Sequence, residues 1–408
     1  MTRAEARATD AADPLRALRA RFRLPAGVVY LDGNSLGPLP ETAVARQRDV
    51  VEREWGEGLI RGWNDHGWID APSRVGAKIA RLIGARPHEV IVADSVTVNL
   101  FKLLTAAAAL APERRGLVSE AGNFHTVLHV AGGAAEAASL DLRVVARDAV
   151  EAALGGDAGL LLLTHVHYRT GERFDIAAVT ARAAAAGARV VWDLSHSVGA
   201  VPLALNDDGV ELAAGCGYKY LNGGPGAPAF LYVAEHLQER INPLLRGWMG
   251  HAAPFAFTDD HRPAPGMGRF LAGTPPMLSL LALESGVEAF DGVDLPALWA
   301  KSAALFASFD RLVAERCASH GLRRLTPAAP DERGSHIAFR HPHAFALCQA
   351  LIADGVIGDF RAPDVIRFGL TPLYLGFEDV WLAVDRLTRI LESGAWRDPR
   401  FAVRGKVT

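Results

Sequence analysis

The chain is poor in lysine. Lys and Arg together number 43, yet only Lys78, Lys102, Lys219, Lys301 and Lys406 are lysine, so chemistry that needs a side-chain amine has five candidates. Cysteine is as scarce. Cys216, Cys317 and Cys348 are odd in number and unclustered, which excludes a disulfide framework and a thiolate metal site and fits reduced thiols in a cytoplasmic protein. No apolar run is long enough to cross a membrane, since Gly159 to Leu163 is short and Ala181 to Ala188 is broken by arginine. Met1 to Arg23 mixes Arg, Asp and Glu without an apolar centre, so no signal peptide is read there. A net charge of −3 leaves no basic footprint for nucleic acid.

What the chain does have is one lysine in an unusual setting. Lys219 sits in the glycine-rich stretch Gly215-Cys216-Gly217-Tyr218-Lys219-Tyr220-Leu221-Asn222-Gly223-Gly224-Pro225-Gly226, which reads as a turn. Lys78 and Lys301 fall on helical patterns with polar flanks, Lys102 follows Asn99-Leu100-Phe101 on a helix, and Lys406 is in the tail. Lys219 alone stands where burial favours a nucleophilic amine. Upstream, the strand-like Val190-Val191-Trp192 ends on Asp193, followed by Ser195-His196. An acid closing a buried strand and a lysine in a later glycine turn meet the needs of pyridoxal phosphate. The carboxylate pairs with the pyridine nitrogen and the amine carries the aldehyde as a Schiff base. A snorkelling lysine at a strand end is the bland alternative.

Around this pair the pattern alternates strand and helix. Strands are expected at Glu89 to Val92, Gly116 to Val118, Leu142 to Val145, Gly159 to Leu163, Arg189 to Trp192 and Pro228 to Val233, with alanine-rich helices between them. That alternation predicts an α/β, mainly parallel sheet with its site at the carboxyl ends of the strands. Asp94-Ser95-Val96-Thr97-Val98-Asn99 opens a helix toward Leu110, and small hydroxyl residues at a helix start suit a phosphate or a plain cap. Phe124, Thr164 and His165 follow other strand ends. Asp32 to Pro40 is a loop whose Ser35 is either a connector or a ligand contact. Trp55, Trp63 and Trp68 interrupt a helical stretch and read as core or as an aromatic wall. Beyond Pro276 come long helices and a strand-helix-strand-helix appendage, in which Arg367 is a surface charge or a fork for a carboxylate.

Taken together, Tyr30 to Gly37 (YLDGNSLG), Gly58 to Asn64 (GLIRGWN), Val98 to Leu104 (VNLFKLL), Leu163 to Gly171 (LTHVHYRTG), Trp192 to Gly199 (WDLSHSVG) and Tyr218 to Gly226 (YKYLNGGPG) resemble bacterial kynureninase. Gly247 to His251 (GWMGH), Arg269 to Pro276 (RFLAGTPP) and Ile366 to Tyr374 (IRFGLTPLY) extend the likeness over nearly the whole chain. The resemblance implies a fold-type-I pyridoxal phosphate enzyme with a mainly parallel, seven-stranded-type sheet in a large domain and a smaller α+β domain. Residues 1–60 would be an N-terminal arm and part of the small domain, 61–290 the large cofactor-binding domain and 291–408 the C-terminal small domain.

It also implies roles. Lys219 would carry pyridoxal 5'-phosphate, Asp193 would pair with its ring nitrogen beside His196, and Phe124 would stack on the ring. Val96, Thr97 and Tyr218 would hold the phosphate, helped by Trp248 and Thr274 from the second subunit of a homodimer. Thr164 and Val127 would lie near the cofactor, Ser35 and Trp63 would line the aryl pocket, and Arg367 would take the substrate carboxylate. The reaction would be hydrolytic Cβ–Cγ cleavage of L-kynurenine to anthranilate and L-alanine in tryptophan degradation, with Tyr218 transferring protons. No metal is expected. Trp63 and the Gly273-Thr274 pair look bacterial, which favours kynurenine over its 3-hydroxy form.

One departure stands out. Asn123-Phe124-His125-Thr126-Val127-Leu128-His129 occupies the place of Asn-Phe-Pro-Thr-Asp-Leu-Tyr, so the usual aspartate is Val127 and the tyrosine His129; His167 likewise replaces an asparagine. These changes keep open a substituted kynurenine in a specialised route. Another lyase or transaminase reaction and a non-catalytic scaffold are the remaining alternatives. Desulfuration is set lower, because no cysteine is expected in an active-site loop.

Overall fold

The computed structural model describes residues 1–405. Its centre is a sheet of seven strands: β1 (Val90–Val92), β2 (Gly116–Glu120), β3 (Asp141–Val145), β4 (Ala158–Thr164), β5 (Arg189–Asp193), β6 (Leu212–Cys216) and β7 (Ala229–Val233). Their spatial order is β1-β7-β6-β5-β4-β2-β3. Neighbours from β6 to β3 are parallel, and only β7 runs against both β1 and β6. Six of the seven strands are almost wholly buried on both faces and read as largely apolar runs, while edge strand β3 stays partly exposed. In β4, Leu160 and Leu162 face one apolar cluster while Leu161 and Leu163 face the other, the two-residue period of a pleated strand.

The sequence concealed β6. Leu212-Ala-Ala-Gly-Cys lacks the branched and aromatic residues that favour strands, and Gly215 and Cys216 were expected to begin a turn. Packing accounts for the small residues, because a Cβ at Gly215 would stand 2.7 Å from the Phe230 ring on neighbouring β7. The turn begins only at Gly217.

The longer helices are α1 (Arg3–Ala12), α2 (Glu41–Asp49), α3 (Ala71–Leu82), α4 (Val96–Ala108), α5 (His125–Ala138), α6 (Ile176–Ala185), α7 (Met277–Glu288), α8 (Leu295–Arg316), α9 (Ala344–Ala353) and α10 (Phe377–Ser393). Sequence spacing missed α1, whose start is fixed by a reciprocal cap between Thr2 and Glu5. A second sheet holds β8 (Arg323–Arg324), β9 (His336–Arg340), β10 (Asp359–Arg361) and β11 (Val365–Gly369), antiparallel in the order β8-β9-β11-β10. The first segment of the chain belongs with this sheet's surroundings: Val29–Tyr30 pairs in parallel with Val356–Ile357, and α1 packs on α10.

That pairing delivers the loop after Tyr30 to the carboxyl edge of the large sheet. The Gly37 amide donates to the Tyr218 carbonyl at 2.8 Å. A side chain there would collide with the backbone, since a Cβ on Gly37 would lie 2.4 Å from the Lys219 carbonyl oxygen. Glycine at this position lets the first loop seat on the Lys219 turn.

Candidate active site

A cavity of about 190 Å³ opens at the carboxyl ends of β1, β4, β5 and β6. Its wall includes Val96, Thr97, Phe124, Val127, Thr164, Asp193, His196, Tyr218 and Lys219, so nine expected cofactor-site residues scattered over 124 positions meet in one place. Ser95, Thr126, Tyr168, Ser195 and Cys216 line it as well and had not been assigned. Ser95 and Ser195 were visible as polar residues at a helix start and a strand end. Tyr168 carried no signal of its own.

Asp193 ends β5 and is 4% exposed. Its Oδ1 accepts from the Ser195 amide at 2.9 Å and from the Ser195 hydroxyl at 2.6 Å, whereas Oδ2 has only a 3.4 Å contact from Thr164 Oγ1. Thr164 in turn donates to Asn123 Oδ1 at 2.7 Å. One carboxylate oxygen is therefore saturated and fixed, and the other is left for a partner in the cavity.

Lys219 Nζ lies 3.5 Å from His196 Nδ1. Burial and the charge of Lys219 push the His196 imidazole well below its ordinary range, so it is neutral and able to accept from the amine. The idea that Lys219 is the only buried lysine fails. Lys102 is wholly buried and Lys301 nearly so, but each has a carboxylate: Lys102 pairs with Asp94 at 2.5 Å and Lys301 with Asp13 at 2.8 Å. Lys78 is held by Glu284 and Glu288, and Lys406 falls outside the described residues. Among the described residues Lys219 is the one lysine with no ion-pair partner. Freedom from a counter-ion, more than depth of burial, sets it apart.

Lys102 supports the site from behind. Asp94 leaves β1 in the left-handed region, with φ of 46°, a conformation disfavoured for a residue with a side chain. Lys102 clamps it and also donates to the Phe270 carbonyl at 2.6 Å. The turn thus fixed starts α4 at the cavity, with Ser95 as its cap. The first intrahelical bond runs from the Asn99 amide to the Ser95 carbonyl, so the Val96 and Thr97 amides have no partner in the helix.

Cys216 corrects the expectation that no cysteine approaches the site. It ends β6 in the cavity wall, 1% exposed, with its thiol pushed up by burial and directed at the Ser195 carbonyl. Such a thiol is a poor nucleophile. The phenol of Tyr218, beside Cys216 and partly buried, is pushed above its usual range and stays protonated at neutral pH.

Other expected residues lie elsewhere in this single chain. Trp63 packs edge-on against Trp68, with centroids 6.0 Å apart, and does not line the cavity. Trp248, at the start of a short 3-10 turn, and Thr274, on a loop, are exposed and do not line it. Ser35 and Arg367 form a buried network with Asp359 next to the cavity, joined to it where Arg367 donates to the carbonyl of Tyr168.

Pyridoxal phosphate suits this arrangement on three counts. A fixed carboxylate with one unfilled oxygen, an amine without a counter-ion and free amides at a helix start match its ring nitrogen, aldehyde and phosphate.

Residues 298–387 match the kynureninase C-terminal domain family. Over 414 aligned residues and the full length of both chains, the protein is 49% identical to a kynureninase of Burkholderia mallei and 46% identical to one of Pseudomonas fluorescens. In fold it is similar to an apo cysteine desulfurase from Thermococcus onnurineus NA1, with a TM-score of 0.78 and 17% identity over 92% of this chain and 98% of that one. An Escherichia coli cysteine desulfurase gives 0.76 and 20% over 93% and 98%. With full-length identity at this level the chain belongs to the kynureninase family, pyridoxal phosphate enzymes of fold type I that hydrolyse a carbon–carbon bond of L-kynurenine.

Proposed function

We propose that the cavity around Lys219 is where this chain cleaves L-kynurenine to anthranilate and L-alanine. The observation that carries the reading is the pairing of a counter-ion-free Lys219 with the half-filled carboxylate of Asp193 across one small cavity. Lys219 would hold the cofactor, Asp193 would face its ring nitrogen, Phe124 its ring, and Val96, Thr97 and Tyr218 its phosphate. When bound, pyridoxal phosphate supplies an aldehyde for the substrate amine and a ring that takes up bonding electrons.

The chain's own groups move the protons. Lys219 Nζ takes the substrate's α-proton, and neutral His196 accepts a hydrogen bond from the same nitrogen. Tyr218, protonated at neutral pH, donates to the ketone oxygen as water adds, takes that proton back from the hydrated ketone as the Cβ–Cγ bond breaks, and passes it to Cβ, which stays with the alanine product. Arg367 takes the substrate carboxylate through Nη1, the nitrogen turned away from Asp359, by exchanging its bond to the Tyr168 carbonyl for one to the substrate. Val127, 2% exposed, keeps that part of the wall apolar.

Trp248 and Thr274, exposed here, would complete the phosphate site of a second copy in a homodimer, with Trp63 and Ser35 closing the aryl pocket. Buried, unpaired thiols fit a reducing cytoplasm. The test is anthranilate release by holoenzyme from L-kynurenine and 3-hydroxykynurenine, with Lys219→Ala as control. Turnover of kynurenine and loss of both turnover and cofactor absorption in the variant are expected. Full activity in Lys219→Ala would discard the assignment.

A further inference from the structure

Three charged side chains, Asp359, Arg361 and Arg367, bond to one another between the first loop and the second sheet, and a fourth, Asp32, faces Asp359 from that loop, its carbonyl accepting from the Ser35 amide at 2.9 Å. Arg367, 1% exposed, donates through Nε to Asp359 Oδ1 at 2.7 Å and through Nη2 to Oδ2. Arg361 Nη2 reaches that same Oδ2 at 2.8 Å. Ser35 donates to it at 2.6 Å and accepts from Arg361 at 3.2 Å and from Arg367 at 3.4 Å. Burial opposes the charge on Asp359, but Arg367 and Arg361 outweigh it and hold this carboxyl well below the usual range.

Asp32 has no comparable support. Its Oδ1 is buried with no hydrogen-bond partner. Burial and then the negative charge of Asp359 push its carboxyl up to about 7. The remaining titratable groups that face it are the hydroxyls of Tyr30, Tyr220 and Tyr374 and the thiol of Cys348. All four are raised by burial, so they are neutral near pH 7 and leave the charge count to the four-residue cluster.

That count is decisive. With Asp32 ionised, two carboxylates offset two guanidinium groups and nothing is left to attract an anion. With Asp32 neutral, the cluster carries one unbalanced positive charge in a buried place, which a substrate carboxylate would neutralise.

We infer that Asp32 is a positioning residue whose uptake of one proton from solvent is coupled to binding of the substrate's α-carboxylate at Arg367. The inference rests on the reading of Arg367 as the carboxylate anchor. The cycle is balanced: one proton and one carboxylate enter together, and both leave with the amino-acid product. No bond between Asp32 and substrate forms. By linkage, raising the pH above neutrality ionises Asp32 in the free enzyme and weakens binding, and bound carboxylate in turn raises the affinity of Asp32 for its proton.

The experiment compares KM for L-kynurenine across pH 6 to 9 in wild-type holoenzyme, Asp32→Asn and Arg367→Gln. In the wild type KM should climb toward about tenfold per pH unit above neutrality relative to Asp32→Asn, whose profile lacks that step, with the difference in KM and not in kcat. Parallel profiles in wild type and Asp32→Asn, with KM raised by Arg367→Gln, would overturn the proton coupling alone. An unchanged KM in Arg367→Gln would overturn the anchor and the coupling together. Should Asp32→Asn fail to fold, infrared difference spectra of wild-type holoenzyme with and without L-alanine at pH 8 read the same event. A protonated-carboxyl band gained on binding supports the inference, and its absence refutes it.

Discussion

The Lys219 cavity and the Arg367 network lie side by side, and they treat polar groups in different ways. In the cavity valences are left open: Lys219 has no carboxylate, Asp193 Oδ2 is nearly bare, and the Val96 and Thr97 amides of α4 have no partner in the helix. In the network Asp359 is closed by bonds from Ser35, Arg361 and Arg367, while the neighbouring Asp32 Oδ1 stays without a partner. Unfilled polar groups are costly in a protein interior, so their concentration at one spot marks where a ligand supplies what the chain withholds. Closed groups mark what holds that spot in shape. Substitutions should therefore separate into losses of chemistry and losses of stability according to which side they strike.

The largest effect is expected at the open side. Asp193→Ala should lower kcat by about 10²–10³, the range for removing one preorganised electrostatic group, while thermal unfolding of the apo protein moves little. A matching fall in Tm would erase the distinction. Next comes the closed lysine. Lys102→Met strands Asp94 and should cost about 3 kcal/mol of stability, at the low end for a broken buried pair because Asp94 is 30% exposed. Denaturant unfolding measures it, and holoenzyme that still folds should keep its visible absorption, in contrast to Lys219→Ala.

Acid sharpens the comparison further. His167 is closed: Nε2 meets the Gly122 carbonyl at 2.9 Å, and Nδ1 accepts from the Thr170 amide at 3.2 Å. Burial pushes this imidazole down to about 4. Above its unfolded value near 6.5 it is neutral in both states and its contribution is fully present. Between about 6.5 and 4 the unfolded chain binds a proton that the folded one refuses, so stability falls as the pH drops, by about 1.4 kcal/mol per unit at most. Stability curves at pH 7 and 5 should converge in His167→Asn. An undiminished acid loss in that variant would move the effect to His165, which burial lowers to about 3.

Legibility in the sequence followed the same division. The strand alternation, Asp193 and Lys219 could be read because an acid at a strand end and a lysine in a glycine turn are local patterns. The helix start at Ser95 was legible for the same reason. Strand β6 was hidden by its alanine and glycine, and the role of Cys216 went with it. Asp359 and Asp32 left no trace, since their meaning comes from residues more than 300 positions apart that only the pairing of Val29–Tyr30 with Val356–Ile357 unites. The separation of Lys102 from Lys219 was equally unreadable, because it depends on which carboxylate lies within reach across space.

The smallest expected effect lies on the border between the two regions, at Ser195. It is a closing residue that serves an open one: its amide and hydroxyl both fill Asp193 Oδ1 so that Oδ2 stays available. Ser195→Ala removes the hydroxyl and keeps the amide, so the carboxylate retains one of its two anchors. One hydrogen bond to a charged group is lost, worth about 1.5 kcal/mol, or roughly tenfold. If Asp193 needs its orientation more than its charge, the loss should appear in kcat and in the absorption of the bound cofactor while Tm holds. If it appears in Tm alone, Ser195 belongs with the scaffold, and the boundary between open and closed groups runs between Asp193 and its neighbour two residues on.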